Sequence, residues 1–297
     1  GLMEGTPAGV AYVERVPAYP LLVALMQGIG LGAPVCMAII NSFFDSLTCV
    51  ILGLLGCHLD RRVGLLAGLL AAFWPNLIIH SNLVLNDTLF VLLFTGLLYW
   101  AAKFLSKPSL KAAIISGVLV GLAVCTRPIA QFLVPVLVIA IAGISHFRGV
   151  SNRRVVLLVF VFVLPAILLL MPLVAHNQLN FGSLSLSTQT GTHLAYWVLP
   201  PVKKIETGLP FEQTKAKIRE NYETESKRRG GDDSNPFVAN NRLTSIALSE
   251  LYESSTTAIV TAWLKGIVLN IATPAILIDT RVRSLSGQSF YELEAPN

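Results

Sequence analysis

Asp87 closes a short polar stretch, His80-Ser81-Asn82-Leu83-Val84-Leu85-Asn86-Asp87, set between two long apolar segments. A carboxylate in such a turn stays hydrated and can take a proton from a hydroxyl beside the lipid headgroups. A plainer role is a helix N-cap, because Asp before Thr88 and an apolar run is an ordinary helix start. The two roles are compatible only if one carboxylate oxygen remains free. Beside it, His80, Asn82 and Asn86 add an imidazole and amide oxygens, so the loop could hold a divalent metal ion, with Asp87 and His80 as its ligands.

Arg127 lies in Gly121-Leu122-Ala123-Val124-Cys125-Thr126-Arg127-Pro128, a tight corner between two further apolar segments. Arginine at such a place either snorkels to the interface or grips a phosphate, for which its planar fork of donors is suited. Tyr19, His176 and Asn177 also stand beside apolar segments. Asn41, Asp45 and Thr48 share one face of a helix at mid-depth, where an interhelical hydrogen-bond stripe is expected, with Asp45 either protonated or partnered by Lys265.

The elements that hold these residues are membrane helices. Hydrophobic residues make up 54% of the 297 positions and charged residues 13%, against about a quarter charged in a soluble domain. The apolar runs lack the period-2 alternation of barrel strands, so an all-α polytopic bundle is expected. Six spans are read at 35–57, 63–79, 89–102, 112–125, 129–144 and 155–175. Residues 256–278 are either a seventh span or a helix lying in the interface. The organisation is therefore a juxtamembrane segment 1–33, a six-helix bundle 34–175, a loop region 176–255 and a last helix with tail 256–297.

Basic residues fall in the turns 58–62, 103–111 and 146–154. Placing those turns in the cytoplasm puts Asp87, Arg127 and residues 176–255 on the extracytoplasmic side. The net charge of +5 forms no stripe for nucleic acid, and the four cysteines have no metal-ligand spacing. Within 176–255, residues 180–187 read as a short strand or extended loop. Charged and mixed helices are expected at 212–229 and 240–252, joined by the turn-rich 230–236.

Several stretches together resemble one family. Pro17-Ala18-Tyr19-Pro20-Leu21-Leu22, residues 41–48, 75–90, 121–128 and 172–182 look like the GT-C class of membrane glycosyltransferases. The nearest branch is that of the dolichyl-phosphate-mannose protein mannosyltransferases and bacterial lipid A aminoarabinose transferases. The resemblance implies transfer of a sugar, with inversion, from a polyprenyl-phosphate donor to a lipid, glycan or protein acceptor on the outer face of a bacterial inner membrane. It implies a catalytic carboxylate at Asp87, which precedes Thr88-Leu89-Phe90, and a donor-phosphate contact at Arg127. Asn86, His176, Asn177 and Tyr19 join as substrate-binding residues, although the family has Arg where this chain has His176. The family also begins with a further helix and an Asp-bearing loop that holds the principal base. Neither precedes Gly1, so the chain reads as N-terminally truncated, and Glu14 is a poor substitute. Two other functions compete, a transporter or flippase for a lipid-linked or anionic substrate and a non-catalytic scaffold. The first needs a polar path through the bilayer, for which only Asn41, Asp45 and Lys265 qualify.

Overall fold

The computed structural model describes residues 13–228 and 235–272, which form helices and turns with no strand. The protein is an all-α polytopic membrane protein. Its described residues divide into two units, 16–172 and 13–15 with 173–272.

The 16–172 unit begins with α1 (Ala18–Gly28). It is too short to cross a bilayer, and it exposes Leu21 and Leu25 while burying Tyr19. Helix α2 (Pro34–Gly56) leads into α3 (Arg61–Ala72), which Asp60 caps by accepting the Arg62 N–H at 2.7 Å. Helix α3 continues as α4 (Pro75–Ser81) after a bend of 53°. The bend follows from Trp74-Pro75, since the residue before proline is held extended and Pro75 then starts the new helix. Helices α5 (Asp87–Ser106) and α6 (Leu110–Thr126) form an antiparallel pair whose turn is closed by Ser109, which caps α6 through the Ala112 N–H. A 3₁₀ turn (Pro128–Phe132) opens α7 (Leu133–Phe147), and α8 (Asn152–Phe181) runs through Pro165 and Pro172.

Four of these helical stretches are long and apolar enough to cross a membrane, and the bent α3 and α4 pair makes a fifth. Helix α6, with 17 residues, covers the span read at 112–125 but falls short of the roughly 20 residues of a full crossing. Lipid-facing sides are evident from exposure: Val35 is 70% and Ile139 72% exposed, which water would penalise and hydrocarbon does not.

Lipid tails are as apolar as leucine, so close approach of backbones has to hold these helices together. Gly56 and Gly64 provide it between α2 and α3: a Cβ on Gly56 would lie 2.9 Å from the Gly64 Cα. A Cβ on Gly117 of α6 would run into the Phe162 carbonyl of α8, and one on Gly121 would lie 2.9 Å from the Ala166 Cα. Leu97, Phe104, Val120, Ile141, Leu158 and Phe162 form the core that these approaches enclose.

The second unit contains the end of α8 and the short α9 (Gln189–His193), which leads through a π turn into α10 (Leu199–Thr207). Helices α11 (Phe211–Arg228), α12 (Pro236–Glu253) and α13 (Thr256–Ala272) follow. Its core is Ala195, Leu199, Ile218, Leu243 and Ala247. The helices expected at 212–229 and 240–252 are α11 and α12, and residues 183–187 are loop. Helix α13 has 17 residues, about 26 Å of helix against about 30 Å of hydrocarbon. The continuation to residue 278, with Arg281 and Arg283, lies outside the described residues.

Candidate active site

The geometry around Asp87 starts from the ends of α5 and α6, which lie side by side because the two helices are antiparallel. Helix α5 begins at Asp87 itself, and Asn86 is the residue before it. Asp87 is therefore not the N-cap. Its carboxylate sits in the first turn, at the positive end of the helix dipole. Arg127 follows the last residue of α6, at the negative end, with an extended backbone (φ −143°, ψ 117°) that Pro128 imposes. The Arg127 Nη2 donates to the Asp87 Oδ1, closing an ion pair. Each charge thus offsets both its helix end and the other charge.

Phe90 completes the arrangement. Three residues after Asp87, it lies on the same face of α5, and the Arg127 guanidinium carbon stands 5.4 Å from its ring centroid. Phe90 in turn stacks on Phe94, with centroids 6.0 Å apart. The Arg127 side chain is 38% exposed and that of Asp87 28%. Both remain within reach of a solute, and the guanidinium keeps donors beyond the one used on Asp87.

The loop before Asp87 is tied at three places. Asn86 Nδ2 donates to the Thr126 carbonyl at 2.8 Å, so this side chain serves the end of α6 and not the start of its own helix. Asn41, fully buried in α2, donates through Nδ2 to the Leu83 carbonyl at 2.7 Å and to the Tyr19 hydroxyl at 3.1 Å. Thr88 Oγ1 donates to the His80 carbonyl at 3.2 Å. Tyr19 is buried at 7% exposure. Burial pushes its phenol above the ordinary value, Asn41 draws it partly back, and the negative charge of Asp87 pushes it up again.

The structure thus brings Asp87, Arg127, Asn86 and Tyr19 into one neighbourhood of the 16–172 unit, the last two as braces. His80 lies in the last turn of α4 with its Nδ1 buried and without a hydrogen-bond partner among the described residues. Among the described residues no group of three or more His, Cys, Asp or Glu side chains could hold a metal ion. The donors at the two expected positions are one imidazole and one carboxylate already paired with arginine. They do not make a metal cage.

His176 and Asn177 belong to the second unit. Asn177 is fully buried and donates through Nδ2 to the Ser185 carbonyl at 2.8 Å, shaping the loop after α8. The His176 Nδ1 lies 3.4 Å from the Asn177 Oδ1, and its ring stands 6.1 Å from that of Phe181. Asn235 fixes the same region by donating to the Phe181 carbonyl at 2.9 Å. Glu14 falls in this unit as well. Of the mid-depth stripe, Asn41 alone bonds outside α2: Thr48 donates to Phe44 of its own helix at 2.9 Å, and Asp45 is half-buried. Asp45 and its expected partner Lys265 fall in different units.

Two residues of the site are not evident from sequence reasoning. Phe90 has a signal, the i, i+3 spacing from Asp87. Asn41 stands out as a polar residue in an apolar helix, but its bond to a carbonyl 42 residues away has no local signature.

No curated protein and no solved structure matches the chain. A model of the dolichyl-phosphate-mannose-protein mannosyltransferase family matches residues 16–175, more than half of the chain and the stretch that carries Asp87 and Arg127. By that match the chain belongs to the dolichyl-phosphate-mannose-protein mannosyltransferase family and is a membrane glycosyltransferase of the GT-C class.

Proposed function

We propose that the protein moves a sugar from a polyprenyl-phosphate donor to a hydroxyl of a lipid, glycan or protein acceptor at the extracytoplasmic face of a bacterial inner membrane. The observation that carries this reading is the Arg127–Asp87 pair at adjacent helix ends, seated on Phe90 and partly open to solute. Arg127 takes the donor phosphate in its remaining N–H donors. The acceptor oxygen attacks the anomeric carbon from the opposite side, and the bond from that carbon to the phosphate oxygen breaks with inversion. The hydroxyl proton passes to the carboxylate that the family resemblance places as the principal base, and the polyprenyl phosphate leaves with its negative charge held by Arg127, which Asp87 keeps in position at the donor site. Phosphate leaves without protonation, so no general acid is needed. Tyr19 and Asn86 brace the loop and the helix ends beside Asp87 and Arg127.

The test is to measure donor affinity and turnover separately in the membrane-embedded protein. Arg127→Lys keeps the charge but loses the fork, and is expected to weaken donor binding about tenfold or more. Asp87→Asn, which takes the charge partner from Arg127 and lets it shift, is expected to lower turnover by about 10². Unchanged turnover in Asp87→Asn, or unchanged donor affinity in Arg127→Lys, refutes the assignment.

A further inference from the structure

At the far end of α5 from Asp87 the three basic turns meet. Helix α5 has 20 residues and so spans about 30 Å, with Asp87 in its first turn and Lys103 in its last. Tyr99, Trp100 and Lys103 share one face by i, i+3 and i+4 spacing. The Lys103 Nζ stands 4.8 Å from the Tyr99 centroid and 5.1 Å from that of Trp100. Lys111, from the start of α6, brings its Nζ to 5.7 Å from the same Trp100 ring. His58 meets Tyr99 edge-on at 5.5 Å, and Arg148 donates to the Leu105 carbonyl at 2.8 Å.

Membrane topology accounts for basic residues in these turns, but not for two ammonium groups converging on one indole. Arg148 satisfies an end carbonyl of α5, whereas Lys103 and Lys111 have no carboxylate partner among the described residues. The ring faces orient the two ammonium groups and leave N–H donors pointing away. Leu98, Leu105 and Leu110, exposed by 41%, 49% and 41%, lie beside them in sequence and offer apolar surface to acyl chains.

We propose that Lys103 and Lys111, seated on Trp100, form a binding site for the phosphate of an anionic phospholipid in the leaflet at this end of the helices. Indole at headgroup depth, paired cations and flanking leucines together match a lipid headgroup with its chains, and basic sites between membrane helices take such headgroups. The site is independent of the transfer chemistry at Asp87.

The full chain, purified and delipidated in a non-ionic detergent, is titrated with phosphatidylglycerol or phosphatidylcholine, and bound lipid is counted by native mass spectrometry. Phosphatidylglycerol is expected to bind in preference. The Lys103→Gln, Lys111→Gln double variant is expected to bind it about 30-fold more weakly, each lysine contributing about fivefold. The corresponding double arginine variant keeps the affinity. Lys107→Gln, which removes an exposed lysine with no aromatic contact among the described residues, also leaves it unchanged. Three results overturn the proposal: wild-type affinity in the double glutamine variant, an equal loss in Lys107→Gln, or displacement of phosphatidylglycerol by inorganic phosphate at equal concentration. The last would assign the site to free phosphate.

Discussion

Replacing Asn41 by leucine removes the brace under the 82–87 loop while keeping the branched shape and the number of heavy atoms of the buried side chain, so that no cavity complicates the result. The change deletes two hydrogen bonds, at 2.7 Å to the Leu83 carbonyl and 3.1 Å to the Tyr19 hydroxyl. Only the Leu83 bond is broken when the loop opens, and a neutral hydrogen bond contributes about 1 kcal/mol net, so the closed loop loses about 1 kcal/mol relative to an open one. At 1.4 kcal/mol per factor of ten, the open population rises about fivefold. Hydrogen exchange of the backbone amides between Leu83 and Thr88, measured in nanodiscs, is therefore expected to quicken about fivefold. Transfer falls with it, since displacing a reacting group by about 1 Å can cost about 10² in rate. The Tyr19 phenol, relieved of the bond that draws its titration down, moves further above its ordinary value of 10.0. Wild-type exchange rates in this loop, with the variant folded, would refute the argument that Asn41 holds the site together.

Two further predictions concern other parts of the structure. Glu206 accepts the Ser255 N–H at 2.7 Å, just before α13, and that bond is the main cause holding its carboxyl below the ordinary 4.5. A lowered carboxyl stabilises the fold above the unfolded value and loses that contribution as pH falls through the folded one. Acid titration of wild-type Trp263 fluorescence should therefore show a transition below pH 4.5 that Glu206→Gln lacks; identical curves would exclude the linkage. Among the glycines, Gly64→Val should destabilise the bundle by about 1 to 3 kcal/mol, because its Cβ would lie 2.7 Å from the Gly53 carbonyl oxygen. Gly143→Ala, with no atom within 4 Å of the added carbon, should be neutral or stabilising by up to about 1 kcal/mol. Thermal unfolding in detergent separates the two, and equal shifts would contradict the close-packing account.

How far the sequence could be read follows from the range of each interaction. Apolar runs fix where helices lie, so α2, α5 and α8 fall close to the segments read from hydropathy alone, and the proline at 75 marks the bend between α3 and α4. Asp87 and Arg127 stand out because charges beside hydrocarbon are rare. That they pair with each other depends on α5 and α6 being antiparallel with their ends level, a tertiary fact that no local pattern encodes. The same holds for Asn86, whose nearest sequence use is the start of α5 but whose actual partner is the Thr126 carbonyl. The position of Asp87 inside the helix also escapes sequence reasoning, since Asp before Thr and apolar residues fits a cap or a first-turn acid equally well.

The two bonds across the ends of α5 and α6 limit how this stretch can change length. Asn86 to Thr126 and Asp87 to Arg127 close the hairpin at its open end, while residues 107–109 close it at the other. One residue inserted within either helix would advance the chain by about 1.5 Å and rotate everything beyond it by about 100°, carrying one partner of each bond away from the other. An extra residue in the 107–109 turn leaves both helices in register and is absorbed there. Insertions and deletions among relatives are accordingly expected to collect in that turn, and to be matched in pairs where they enter α5 or α6.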